Sequence, residues 1–163
     1  MRFLKLALFS IIFLFIGITG LGLLFPSTVV VSRATDIVAP KDSILAYLSN
    51  IYQWKQWVEG MKNEAVIITS PTEANLVGTT VSITSIKNYT VQSVWTGKKG
   101  TVQQSTIQIY QDAASPKAVV HWQFVQNLKW YPWDRLSSMM NDKIMGEQLE
   151  KNLANLQKVC ERR

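Results

Sequence analysis

A chain of 163 residues carries seventeen Lys and Arg against eleven Asp and Glu, a formal charge of +6, with one Cys and one His. The single Cys excludes an intramolecular disulfide framework and any multi-Cys metal site. The basic residues make no run longer than Lys98-Lys99 and Arg162-Arg163, so the concentrated basic face of a nucleic-acid binder is missing too, and no nucleic acid is expected as a partner.

From Leu6 to Phe25 the chain reads LALFSIIFLFIGITGLGLLF, twenty residues without a charge. At 1.5 Å per residue such a helix spans about 30 Å, the thickness of a bilayer's hydrocarbon. A cleaved signal peptide has an apolar core of about 7 to 15 residues before a small-x-small site. This run is longer and ends in Leu23-Leu24-Phe25-Pro26, which favours a retained anchor over cleavage near Gly20 and Gly22. Arg2 and Lys5 lie close before the span and Arg33 and Lys41 farther behind it, which favours an inside amino terminus and an outside domain. Residues 1–26 are thus read as a single-pass anchor. Residues 27–163 form one domain, large enough to bury roughly two thirds of its unfolded surface.

Thr28 to Val38, TVVVSRATDIV, is β-branched and free of Gly and Pro, and reads as a first strand. Pro40 suits the first position of a helix, with Asp42 at the positive end of its dipole and Ile44, Leu45, Leu48 and Ile51 at helical spacing. Tyr52 to Trp57, YQWKQW, places two Trp three residues apart on one face of a short helical turn, a corner of the core or the lip of a cavity. From Glu64 to Val125 the period changes to two. Strands are expected at Ala65–Ser70, Gly78–Ile86, Tyr89–Thr96, Thr101–Tyr110 and Lys117–Val125, with Pro71–Asn75, Lys87-Asn88, Gly97–Gly100 and Asp112–Pro116 as turns. Val81 and Ile83, Val91 and Trp95, and Val120, Trp122 and Phe124 share parity against Ser, Thr, Gln and His. The sheet is therefore an antiparallel meander with one wet and one enclosed face.

Pro132 to Arg163 is the longest segment with helical periodicity outside the membrane run, and the one element large enough to cover that sheet. Its apolar residues fall in two sets roughly 150° apart, Leu136, Met139, Met140 and Ile144 against Met145, Leu149, Leu153, Leu156 and Cys160. One straight helix cannot bury both, so a bend or break is expected at Gly146. The fold class is α+β.

Val31, Arg33, Ile37, Ala39-Pro40, Ile44 and the Trp54 to Trp57 spacing resemble the opening of the START-like, polyketide-cyclase and dehydrase superfamily, SRPBCC. The end is more specific: Pro132-Trp133, Arg135, Asp142-Lys143, Gly146, Leu149-Glu150 and Leu153-Ala154-Asn155-Leu156 resemble the terminus of its bacterial members with one amino-terminal membrane span. The resemblance implies a helix-grip fold, a curved antiparallel sheet wrapped around a long carboxy-terminal helix with an apolar cavity between them. It also implies a hydrophobic small molecule or lipid as partner and a bacterial inner membrane as location. The subgroup often continues the second Trp as Ser-Pro-Trp, whereas here Trp57 runs into Val58-Glu59-Gly60, which bears on the cavity mouth.

Catalytic signals are sparse. His121 shares parity with Gln123 on the polar side, where it has no nucleophile to serve. The acids are scattered through turns and helix surfaces, so neither a metal nor another cofactor is implied. Gly97-Lys98-Lys99-Gly100 lacks Walker spacing and reads as a hairpin tip, Asn88-Tyr89-Thr90 as a turn, and Cys160 as a small buried hydrophobe. A cyclase-like reaction would have to use Tyr89, Tyr110, Tyr131 or Asp134, which no spacing singles out. The expected ligand-binding set is apolar: Trp57, Val81, Ile83, Val91, Trp95, Trp122 and Phe124, roofed by Leu136, Met139, Met140 and Ile144. The alternative is that the same residues simply fill a core.

Overall fold

The apolar amino-terminal run is one helix, α1 (Arg2–Leu23), long and apolar enough to cross a bilayer, and no part of Phe3–Gly20 is buried. The computed structural model describes the backbone of residues 2–23, 27–98, 100–112, 114–128 and 132–162, and side chains over 3–20, 27–98, 100–112, 114–128 and 143–162.

Strand β1 (Thr28–Ile37) follows directly, then α2 (Lys41–Leu48), α3 (Ile51–Trp57) and a single 3-10 turn over Glu59–Lys62. Asn50 starts α3 by accepting a hydrogen bond from Tyr52 N–H at 3.0 Å, which satisfies one of the first-turn donors. Six strands then run as a meander: β2 (Val66–Ser70), β3 (Glu73–Leu76), β4 (Thr79–Lys87), β5 (Thr90–Gly97), β6 (Val102–Gln111) and β7 (Ala118–Asn127). All pairs are antiparallel and β1 closes on β7, giving the order β1-β7-β6-β5-β4-β3-β2. The long carboxy-terminal helix is α4 (Pro132–Glu161), which packs on β1, α3 and α1.

The enclosed face is the one the period-two pattern marks. Val81, Ile83, Val91, Val120, Trp122 and Phe124 are buried there together with Val31, Ile37, Ile107 and Ile109. β3 is an addition. Pro71–Asn75, expected as a turn, contains a strand that begins at Glu73, of which only Ala74 is buried. Its place is fixed by β2 and β4 pairing on either side.

The expected break at Gly146 is absent, since α4 is helical throughout. Gly146 instead lets the helix pass over β1. A Cβ there would collide with the Arg33 guanidinium, whose Nε donates to Glu150 Oε1 at 2.6 Å and whose Nη1 donates to Ser32 O at 2.8 Å. Of the two apolar sets, the second is the one seen to face the core, and Leu136, Met139 and Met140 of the first lie outside the residues whose side chains are described. Leu149, Leu153 and Leu156 are buried, with Met145 and Cys160 packed against the core, while Ile144, expected on the cavity roof, is 56% exposed. Replacing Gly146 by Leu should cost about 1–3 kcal/mol of stability through overpacking, read from thermal unfolding. Adding Arg33→Ala should recover part of the loss, because it vacates the contested space.

Candidate functional site

Five aromatic side chains from three elements meet between the sheet and the helices. Trp54 and Trp57 come from α3, Trp95 from β5, and Trp122 and Phe124 from β7. Their contacts close a circuit. Trp54–Trp57, Trp57–Trp122, Trp122–Phe124, Phe124–Trp95 and Trp95–Trp54 have centroid separations of 5.7, 5.4, 5.6, 5.5 and 6.0 Å. All but the stacked Trp95–Trp54 pair are tilted or edge-on, in line with the quadrupole preference of π systems.

Each indole N–H in the circuit has an acceptor. Trp54 donates to Leu48 O at 2.9 Å, Trp57 to Tyr47 O at 3.4 Å, Trp95 to Ser93 Oγ at 3.1 Å and Trp122 to Ser105 Oγ at 2.8 Å. Ser93 and Ser105 are buried polar residues on an otherwise apolar face, and these bonds account for both.

The circuit fills one half of the interior and walls the other. Beside it lies a half-open cavity of about 410 Å³. Trp95, Trp122 and Phe124 form one side, Met145 and Leu149 the facing helix, and Leu76, Val77 and Thr79 the rim at the β3–β4 hairpin. Val58 and Gly60, from the stretch expected to bear on the cavity mouth, also line it. Its polar groups are neutral: Asn63, Gln103, Gln148 and Asn152 carry amides, and among the described residues no charged side chain reaches the lining. Gln103 donates to Gln126 at 2.9 Å, and Asn152 is fixed by accepting from Glu59 N–H at 2.9 Å. Glu59 sits just outside. The hydrogen bond from Asn155 holds its carboxyl below the usual carboxylate range, against burial and with help from Lys151 and Lys62.

Of the expected ligand-binding residues, the structure brings Trp95, Trp122 and Phe124 to the cavity wall. Trp57 is fully buried one ring behind it, and Val81, Ile83 and Val91 are core residues of the same face. Leu136, Met139 and Met140 lie outside the residues whose side chains are described, and Ile144 points to solvent. Sequence reasoning missed Asn152, Gln148, Gln103 and Met145. Only Met145 carried a signal, its membership of the second apolar stripe.

The candidate acid–base groups are elsewhere. Tyr89 donates to Asp42 at 3.0 Å beneath Lys41, whose ammonium lies 4.4 Å from the ring centroid, and Tyr110 shares a separate surface hollow with Tyr89. Tyr131 and Asp134 fall outside the residues whose side chains are described. Among the described residues no three His, Cys, Asp or Glu side chains cluster as metal ligands.

The architecture matches solved structures over more than four fifths of the chain. A START superfamily protein from Mycobacterium smegmatis superposes with a TM-score of 0.60 at 16% identity, covering 82% of this chain and 97% of that one. The chain has the START-like helix-grip fold. A truncated norcoclaurine synthase from Thalictrum flavum shares the helix-grip fold at a TM-score of 0.62 and 15% identity, over 83% and 95% of the two chains. The di-domain ARO/CYC BexL of the BE-7585A biosynthetic pathway does so at 0.61 and 9%, this chain spanning about half of that protein's length. Neither a family model nor a curated protein matches the sequence.

Three outcomes test this description of the helix-grip interior. Ser105→Ala should cost about 1–3 kcal/mol by orphaning the buried Trp122 N–H, measured by denaturant unfolding. Cys160 lies at the far end of α4, where burial, with a smaller push from Glu161, raises its thiol from 9.0 to about 11. Its thiolate fraction at pH 8 is then about a hundredfold below that of a free thiol. Alkylation by iodoacetamide, followed by mass spectrometry, should be slower by at least that factor than in the urea-unfolded chain. Because the unfolded thiol ionises first, stability should also fall as pH rises from about 9 towards 11.

Proposed function

We propose that this protein is a membrane-tethered carrier or receptor for a hydrophobic small molecule or lipid, with residues 6–25 as the anchor and residues 27–163 as the binding domain. The observation that carries the reading is the cavity between the aromatic circuit and α4. At about 410 Å³ it exceeds the roughly 300 Å³ floor for small-molecule sites. Its walls are indole, phenyl, thioether and leucine, groups suited to a flexible apolar guest. Its polar groups are amides, which orient a neutral hydroxyl or carbonyl head without the desolvation penalty of an unpaired charge.

Proteins of this fold with START, cyclase or synthase names support a cavity that holds an organic molecule. The apolar helix immediately before the fold supports a membrane setting, with Arg2 and Lys5 favouring an amino terminus on the cytoplasmic side.

Native mass spectrometry of the piece from Ser27 onward should show a carried apolar molecule, or uptake of an added long-chain monoacylglycerol. Met145→Trp, which fills the cavity from the helix side, should weaken uptake at least tenfold while leaving the thermal midpoint within a few degrees. A chain that neither carries nor takes up an apolar molecule would overturn the reading.

A further inference from the structure

The β-sheet has two unlike ends, and one of them is tied to α1. Thr28 pairs with Asn127, Gln126 with Gln103, Val102 with Thr96, Gly97 with Thr79, and Thr79 with Leu76. From strand to strand these pairs are offset by no more than one residue, so they form one row of strand ends at the same end of the sheet. The β3–β4 tip (Val77-Gly78), the β5–β6 tip (Gly97–Gly100), the cavity rim at Leu76, Val77, Thr79 and Gln103, and the exit to α1 all sit on that row. From Leu23 to Thr28 the chain can reach at most about 18 Å. Neighbouring strands lie about 4.8 Å apart, so the row from β1 to β3 spans roughly 24 Å.

We infer that this end of the sheet is a second membrane contact, in which the two hairpin tips rest on the surface of an anionic bilayer. The inference rests on the reading of residues 6–25 as a span.

The chemistry of the tips fits such a surface. Val77 has φ +43° and is 55% exposed, and Gly78 has φ +101°. A two-residue hairpin turn with two positive φ values is most readily made by Asn-Gly. A β-branched residue in the left-handed region is strained, and here its apolar side chain faces outward as well. Val102, at the base of the other tip, is 50% exposed.

Between them lies a cation. The aliphatic part of Lys98 covers Gly78 so closely that a Cβ there would collide with it, which holds the stem beside Val77. A lysine so placed can lay its methylenes against apolar surface and extend its ammonium to a phosphate. A lysine held near an anionic lipid surface is attracted to it. Apolar tips flanked by Lys98 suit an interface better than they suit bulk water, and a spanning α1 would confine them to its neighbourhood. The partner is therefore a lipid surface, with a protein partner as the competing outcome.

The test uses the full chain with Cys160→Ser, carrying one new cysteine labelled with an environment-sensitive fluorophore, in nanodiscs containing brominated lipids. Val77→Cys, with Val102→Cys as an independent second position, should be quenched at least twofold more than Asn88→Cys at the opposite end of the sheet. Adding phosphatidylglycerol to phosphatidylcholine discs should increase the difference, and Lys98→Glu with Lys99→Glu should abolish that increase. Val77 and Val102 labels quenched no more than Asn88 would overturn the contact, as would protection seen only when a membrane extract supplies other proteins. A label at Ile12→Cys separates the two readings. If Ile12 is quenched and the tips are not, the contact alone fails; if Ile12 is not quenched, the anchor itself fails.

Discussion

The closed circuit of Trp54, Trp57, Trp122, Phe124 and Trp95 is the constraint on which the interior depends. It is the contact through which α3 is fastened to β5 and β7, and a large aromatic buries about 150–250 Å², or roughly 4–6 kcal/mol at the usual coefficient. Four indoles in an apolar interior are tolerable only because each N–H reaches a carbonyl or a serine. Two of those acceptors, Ser93 and Ser105, are themselves buried because the indoles need them. The circuit thus specifies its own surroundings, and its bulk decides how much of the space under the sheet stays open.

What stays open follows from where α4 can lie. Gly146 admits the Arg33 guanidinium between helix and strand, and Leu149, Leu153 and Leu156 then press on the core. The Arg33–Glu150 pair is partly exposed, and such pairs contribute little energy. Its role is positional, since it sets the height at which the helix crosses β1. The cavity is the remainder between Met145, Leu149 and Asn152 on the helix and Trp95, Trp122 and Phe124 on the sheet.

Much of this was legible in the residues, for a definable reason. The strands alternate because one face is enclosed, so period two exposes both the elements and the wall residues Trp95, Trp122 and Phe124. β3 escaped because Glu73-Ala74-Asn75-Leu76 has one buried side chain and follows turn residues; its strand character comes from the partners on either side, which are tertiary facts. The helix stripes posed a question that local pattern cannot answer. Met145 turns inward and Ile144 outward, and Gly146 beside them meets Arg33, over a hundred positions earlier, a contact that local pattern cannot reveal. The amide rim was equally silent, because Gln103, Gln148 and Asn152 carry no periodic signal. The change from Ser-Pro-Trp to Val58-Glu59-Gly60 did point to the mouth, where Val58 and Gly60 are found.

The asymmetry of the two sheet ends gives these parts a common logic. At the far end, Val38 N–H donates to Glu161 at 2.9 Å, Lys41 N–H to Gln111 at 3.0 Å, and Tyr89 hydroxyl to Asp42, so helix, strand and loop are tied together by polar bonds. The half-buried Cys160 belongs to that end. At the near end the cavity rim carries neutral amides and valines, with the hairpin tips beyond it. An apolar guest loses least free energy when it moves from lipid to pocket without crossing water, because each exposed methylene costs about 0.8 kcal/mol. If α1 spans a bilayer as proposed, a cavity opening at the end of the sheet from which β1 joins α1 shortens that crossing, whereas the same cavity opening at the Cys160 end would lengthen it by the height of the sheet. On the membrane-tethered reading, the position of the opening relative to the apolar helix, more than the pocket's volume or any single wall residue, is therefore what would tie the fold's interior to a membrane.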